Sequence, residues 1–142
     1  MFRSCTYLTS ATLNNWSVTA SGSGYIDFDM FFSGCNKLET LSLSNWTFSK
    51  DIQCSSMFSG CSKLTTVDLS SWNVGIRNSS LMFDGCSLLT SINLSGFNFA
   101  NCTNYTNMFR NVSTSCEIIV KDQANKDWFT NNFPSMTNVV IA

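Results

Sequence analysis

The chain has 142 residues, of which 44% are hydrophobic and 12% are charged, and its formal net charge of −1 excludes a basic nucleic-acid-binding surface. It contains no histidine, so catalytic groups of the Ser-His-Asp or Cys-His type are excluded. An enzyme would have to use carboxylates, and we interpret the neighbouring Asp27 and Asp29 as solvated or as holding a cation at low affinity. We therefore expect neither an enzyme nor a bound cofactor or dedicated metal site. No apolar run approaches the roughly 18 residues that span a bilayer, so we expect no membrane insertion by this chain.

One phrase recurs along the chain. It reads FFSGCNKLETLSLSNWTF from Phe31, MFSGCSKLTTVDLSSWNV from Met57 and MFDGCSLLTSINLSGFNF from Met82. Aligning the copies places one phenylalanine in each of five units, namely Phe2, Phe32, Phe58, Phe83 and Phe109. The period of about 26 residues lies in the range of leucine-rich solenoids. The first interval between these phenylalanines, from Phe2 to Phe32, is longer than the others. Its Gly/Ser-rich stretch TASGSGYI predicts a looped-out insertion.

A short strand is predicted after the phrase in each unit. In the third unit Val67 and Leu69 alternate with the polar Asp68, which is the pattern of a strand with one buried face. Because every unit repeats this pattern in phase, we expect the strands to stack into one parallel sheet. Leu41, Val67 and Ile92 should then be inward neighbours on adjacent strands.

The segment before each repeated phenylalanine indicates the structure that lies opposite each strand. Apolar residues stand seven, four and one positions upstream, as Tyr25, Phe28 and Phe31 do in the first interval. A spacing of three predicts a short helical or 3₁₀ turn facing each strand. The glycines that follow should take the left-handed conformation of a helix cap; they are Gly34, Gly60 and Gly85.

The last segment departs from the repeat. Asp122 is a predicted helix N-cap, Ala124 and Trp128 share one face, and Pro134 ends the helix before a final strand in TNVVIA. We therefore interpret residues 1–121 as about five repeats and residues 122–142 as a C-terminal cap. The first repeat is truncated on its N-terminal side, which predicts a longer protein or a partner on that open edge.

The repeated phrase resembles the repeat of mycoplasma-type surface lipoproteins and BspA-like bacterial surface proteins, whose consensus is close to M-F-x-G-C-x-x-L-T-x-L-D-L-S-x-W/F-x-T. The matching residues of the third unit are Met57, Phe58, Gly60, Cys61, Leu64, Thr65, Asp68, Leu69, Ser70 and Trp72. The resemblance covers residues 1–121, and the closing segment is similar to the family's usual ending. It implies a leucine-rich solenoid on a cell surface with an adhesive or protein-binding role.

Two columns of the alignment have both a functional and a packing interpretation. The first contains Cys5, Cys35, Cys61 and Cys86. A metal or redox ladder is one interpretation, but cysteines spread along an axis do not converge on one ion, so we favour reduced, buried thiols.

The second column contains Trp16, Trp46, Trp72 and Phe97. A sugar-stacking stripe is possible there, and core packing is favoured.

The outward strand positions carry short polar side chains and form the predicted binding face. We assign to it Thr40, Ser42, Ser44, Thr66, Asp68, Ser70, Ser91, Asn93 and Ser95. Asp68 and Asn93 are expected to be the most discriminating contacts. An ice-binding plane is the less favoured interpretation, because the array is interrupted by the charged residues Glu39, Asp68, Glu117 and Lys121.

These observations favour a non-catalytic binding or adhesion module that recognises a protein or glycan on a host or neighbouring cell through its polar strand face. The expected location is extracellular or on the cell surface, as part of a longer protein. The alternative is a structural assembly subunit, such as part of a viral fibre or a filament, that stacks on itself through its open N-terminal edge.

Overall fold

The computed structural model describes residues 1–142 and contains twelve short strands and one helix. Strands of the first two units are β1 (Ser10–Thr12), β2 (Ser17–Val18), β3 (Ile26–Asp27), β4 (Thr40–Ser42), β5 (Thr47–Phe48) and β6 (Ile52–Gln53). The remaining elements are β7 (Thr66–Asp68), β8 (Val74–Asn78), β9 (Ser91–Asn93), β10 (Phe97–Asn98), β11 (Glu117–Val120), α1 (Gln123–Asn132) and β12 (Val139–Ile141).

Every strand pair is parallel, and most pairs join equivalent positions of neighbouring units; the pair of β11 with β12 of the C-terminal cap does not. On the predicted strand side, β1 pairs with β4, and β7, β9, β11 and β12 form a four-stranded sheet. The remaining strands form two further sheets: β2 pairs with β5, and β3, β6, β8 and β10 form a second four-stranded sheet. The prediction of parallel β structure built from repeated units is therefore confirmed.

The strand side is split in two, because β4 and β7 form no ladder with each other. Val67 pairs with Ile92 as expected, but Leu41 pairs with Ala11 and not with Val67, so the predicted continuous row is wrong at this point. The chain after the strand also changes conformation here. Asn15 and Asn45 have φ angles of 63° and 59°, and the equivalent residues of the next two units do not adopt positive φ.

The hydrogen bonds follow this change of conformation. Leu69 donates its backbone N–H to the carbonyl of Asn93 in the next unit at 2.9 Å, whereas the equivalent N–H of Leu43 has no acceptor within the chain. The backbone N–H of Asn45 donates to the side-chain Oγ of Ser71 at 3.0 Å. A side chain thus stands where a backbone carbonyl would otherwise join the two units.

The predicted helical or 3₁₀ turns are replaced by short strands followed by linked β-turns at residues 29–34, 55–60 and 80–85. In the first of these, Ser33 donates its N–H to the carbonyl of Met30, three residues back, but Phe32 and Gly34 donate to the next unit. The φ angles of 58° at Met30 and 77° at Gly34 interrupt any continuous helix. Because each turn closes from residue i to residue i+3, the apolar residues of successive turns recur every three residues, as they do in a helical turn.

Of the three predicted inward positions before Phe32, Phe28 and Phe31 are buried and Tyr25 is not. Tyr25 is 49% exposed, and Ile26, its neighbour in β3, is buried instead, because an extended segment alternates its side chains. The left-handed glycines are confirmed, with φ angles of 77° at Gly34, 77° at Gly60 and 75° at Gly85.

Aromatic columns run through the core. The rings of Phe2, Phe32, Phe58, Phe83 and Phe109 stack with successive centroid separations of 5.3, 5.8, 5.6 and 5.8 Å. Trp46 stacks on Trp16 at 4.8 Å and on Trp72 at 4.9 Å. The indole N–H groups of Trp46 and Trp72 donate to the carbonyls of Leu13 and Leu43 in the preceding unit. Core packing is thus confirmed for the tryptophan column.

Three members of the cysteine column, Cys35, Cys61 and Cys86, are buried hydrogen-bond donors. All seven cysteines are free. Cys61 donates its thiol to the carbonyl of Phe32 at 3.2 Å, and Cys86 donates to that of Phe58 at 3.0 Å. Burial raises the pKa of the Cys86 thiol to about 12. Cys5 was expected to be buried as well, but it is half-buried, because no turn packs on its outer side.

The C-terminal segment closes one end of the core. Asp122 caps α1 by accepting the backbone N–H of Asn125 at 2.9 Å, as its sequence position predicts. The buried face of the helix consists of Asn125 and Phe129, while Ala124, predicted to face the core, is exposed. Trp128 is half-buried and stacks on Phe99 at 4.8 Å. Strand β12 then adds to β11 in parallel.

Candidate functional site

The nine candidate residues of the strand face lie on both sides of the split. Three of them, Thr40, Ser42 and Ser44, lie in or directly after β4. The other six, Thr66, Asp68, Ser70, Ser91, Asn93 and Ser95, belong to the sheet that contains β7 and β9. The exposed members are Thr40, Thr66, Asp68 and Ser70, and the remaining five are half-buried. The face is therefore two polar surfaces rather than one continuous plane.

On the first surface, Asn14 of the preceding unit organises the two serines. Its side-chain Oδ1 accepts the hydroxyl of Ser42 at 2.8 Å, and it accepts both the hydroxyl and the backbone N–H of Ser44, at 3.1 and 2.9 Å. Three donors on one oxygen hold these side chains in a single arrangement. The backbone after β4 is thus fixed by an outward-facing side chain that is not among the nine candidate residues.

On the second surface, Asp68 and Asn93 are paired neighbours with different roles. Asn93 is half-buried, and its Oδ1 accepts the backbone N–H of Ser95 at 3.1 Å and the Ser95 hydroxyl at 2.8 Å. Asp68 is exposed, and one carboxylate oxygen accepts the N–H of Ser70 at 2.9 Å. Its other oxygen, Oδ2, has no partner within the chain. Asp68 is therefore the better placed of the two to contact a ligand.

A polar cleft of about 270 Å³ opens between β4 and β7, where the ladder is interrupted. Its lining consists of Leu41, Ser42, Leu43, Ser44, Asp68, Ser70 and Ser71. The cleft combines serine hydroxyls, one carboxylate and the unpaired backbone N–H of Leu43. Such a set can donate and accept hydrogen bonds over a short distance, which suits a polar ligand group or a loop of another protein.

The arrangement holds no group of three or more cysteine, aspartate or glutamate side chains that could coordinate a metal. The sequence also placed Asp27 and Asp29 close together. Asp29 accepts the backbone N–H of Ser55 at 2.7 Å and the side chain of Gln53 at 3.2 Å, so it joins two units. Burial raises the pKa of its carboxyl group.

The helix α1, with ten residues, is too short to cross a membrane.

Sequence reasoning places Asn14 on the outward strand face without assigning it a bonding role, and it missed Ser71 and the unpaired N–H of Leu43. Asn14 stands two residues after Thr12 in a slot that holds serine in later units, and this difference was an available signal. The residue before each tryptophan or its equivalent also changes, from Asn15 and Asn45 to serine and glycine. Asparagine tolerates a left-handed conformation better than other non-glycine residues, so this change marks the position of the split.

Comparison with known proteins gives one result. A family described as "Mycoplasma protein of unknown function, DUF285" matches residues 1–123, which include all five copies of the repeated phenylalanine and the strand face. No curated protein and no solved structure matches the chain. Since the match covers most of the sequence, the chain belongs to this Mycoplasma family of unknown function.

Proposed function

We propose that the chain is a non-catalytic binding module of a cell-surface protein, and that it recognises a protein or glycan on a host or neighbouring cell. In this proposal the stacked units form a leucine-rich solenoid that displays the two polar surfaces and the cleft between them. The supporting resemblance is that of the repeated phrase to surface proteins of the mycoplasma and BspA-like type.

The observation that carries the proposal is the cleft between β4 and β7. Elsewhere along the strand side, neighbouring units satisfy each other's backbone groups, but here Leu43 offers a free N–H beside Asp68 and four serine hydroxyls. The groups are held in place before binding, because Asn14 fixes Ser42 and Ser44, and Ser70 fixes Asp68. Preorganised polar groups lose little entropy on binding, which favours specific contacts.

Substitution of Asp68 tests the proposal. The Asp68→Asn variant keeps an oxygen for the N–H of Ser70 and removes the negative charge, so the turn should stay intact. A hydrogen bond to a charged group contributes about 1.5–3 kcal/mol, so binding should weaken roughly 10-fold to 100-fold. The measurement is binding of the fluorescently labelled chain to cultured animal cells and to an array of immobilised glycans.

The matched control is Asp127→Asn, which removes an equal charge from the exposed surface of α1, where the carboxylate accepts a hydrogen bond from Gln123. It should bind like the parent. A second variant, Ser70→Trp, should abolish binding by filling the mouth of the cleft. Parent-like binding by both cleft variants would refute the site. If no cell or glycan retains the parent chain, the proposed function itself is wrong.

A further inference from the structure

The turns of successive units are joined by a repeated row of backbone hydrogen bonds. In the fourth unit the N–H groups of alternate residues donate to the turn of the fifth unit at 2.8–2.9 Å. The four pairs are Ser79 to Asn104, Leu81 to Thr106, Phe83 to Met108 and Gly85 to Arg110. The second and third units donate in the same way, so each turn offers four N–H groups that the next turn accepts with four carbonyls.

The fifth unit has the same row of N–H groups and no turn to receive it. The equivalent residues are Tyr105, Asn107, Phe109 and Asn111, and none of their backbone N–H groups has an acceptor within the chain. The turn keeps the shape of the earlier ones, since Asn107 and Asn111 have φ angles of 56° and 64°. The donor row is therefore formed and unoccupied.

A groove of about 410 Å³ lies beside this row, between the fifth turn and the segment that follows α1. Asn107 and Phe109 line one wall, and Phe133 and Met136 line the other. The groove is within the size range of ligand sites in proteins. Its apolar floor includes Val112, which occupies the slot that cysteine fills in the earlier units.

The charges at the groove favour a neutral ligand group over an anion. Arg110 is the cationic residue of the lining, and its guanidinium makes two hydrogen bonds to the carboxylate of Asp84, at 2.8 and 2.6 Å. This pairing leaves no uncompensated positive charge for a phosphate or carboxylate. Backbone carbonyls are also the groups that accept the equivalent N–H donors in every earlier turn.

We propose that this groove binds a short peptide segment of a partner protein. Two or three alternate carbonyls of the segment accept the N–H groups of Asn107, Phe109 and Asn111, and an apolar side chain packs against Val112 and Met136. The site continues the interface that already joins each turn to the next. The proposal is independent of the strand-face function, because the groove lies at the end of the turns and shares no residue with the cleft.

A peptide segment fits the groove better than the flat end of a second copy does. Stacked strands are about 4.8 Å apart, whereas a helix with its side chains is about 10 Å across. The helix α1 packs over Phe99, so it stands taller than the single layer that a further turn would occupy. A broad, flat partner would meet the helix before it reached the donor row, and a narrow chain would not.

The probe is a capped hexapeptide with the sequence of residues 55–60, SSMFSG, whose carbonyls at Ser55, Met57 and Ser59 accept the equivalent N–H groups inside the chain. It is titrated to millimolar concentration into the ¹⁵N-labelled full chain, and the amide resonances are followed by NMR. The amides of Asn107, Phe109 and Asn111 should shift together and saturate with one dissociation constant.

Two variants make the test specific. Ser135→Trp places a large ring in the groove and should abolish the shifts, whereas Ser87→Trp, on the exposed surface of the fourth unit, should retain them. The spectrum of each variant also reports whether it is folded. Absence of shifts at the three amides, or equal shifts in Ser135→Trp, would overturn the proposal. Shifts of the same amides with chain concentration alone would assign the groove to a second copy instead.

Discussion

Replacement of Trp72 by phenylalanine isolates one hydrogen bond that joins two units. Trp72 is fully buried, and its indole N–H donates to the carbonyl of Leu43 at 2.8 Å. No other donor reaches that carbonyl within the chain. An unsatisfied buried carbonyl costs about 1–3 kcal/mol, and the smaller ring adds about 1 kcal/mol of lost packing. We expect Trp72→Phe to lower the free energy of unfolding by about 2–4 kcal/mol.

The matched variant is Trp16→Phe in the same column. Trp16 is half-buried, stacks on Trp46 at 4.8 Å, and makes no hydrogen bond through its indole nitrogen within the chain. Its replacement should cost less than about 1 kcal/mol. Both values are measurable by urea unfolding followed by circular dichroism. Equal losses for the two variants would refute the assigned role of the indole N–H at Trp72.

Other predictions concern packing, backbone exposure and thiols. Leu69→Ala should cost about 2–5 kcal/mol in urea unfolding, and Leu41→Ala, half-buried at the split, should cost less than half of that. The amide of Leu43 should exchange its hydrogen much faster than that of Leu69 in an NMR experiment, since it has no acceptor; equal protection would contradict the split. Iodoacetamide should label half-buried Cys5 before buried Cys86, as mass spectrometry can show. Burial raises the Cys86 thiol pKa from 9.0 to about 12, so its contribution to stability is complete below pH 9 and is lost as the pH rises through 12. The free energy of unfolding should therefore fall over this range, and less so in Cys86→Ala.

The sequence alone predicts the columns of the fold well, because five copies of one pattern place equivalent side chains together. Val67 and Ile92 form the inward row expected of them, and the stacked tryptophans pack in the core. The left-handed glycines were also predictable, since that conformation is unfavourable for residues with a Cβ. These features depend on the period, which the five copies together show, and on the residue type at each position, which each unit shows.

The turns and the split were not predictable in the same way. Linked β-turns closed from residue i to residue i+3 have the spacing of a helix, and the left-handed residues that distinguish them include Met30 and Leu81, which give no such signal. The split depends on which atom accepts the backbone N–H of Asn45. Ser71 accepts from Asn45 through its side chain, and a serine at that place is compatible with a continuous sheet as well.

The two proposed sites arise from the same property of the chain. Within the repeat, each unit satisfies the backbone groups of its neighbour, so the regular parts of the surface offer side chains and few backbone groups. A ligand can pair with the backbone only where that exchange stops. It stops between β4 and β7, at the N–H of Leu43, and after the fifth turn, at Asn107 and Phe109. Both places have a cavity beside the free donors. Under both proposals, binding therefore takes place at the interruptions of the repeat, where packed neighbouring units position the free donors.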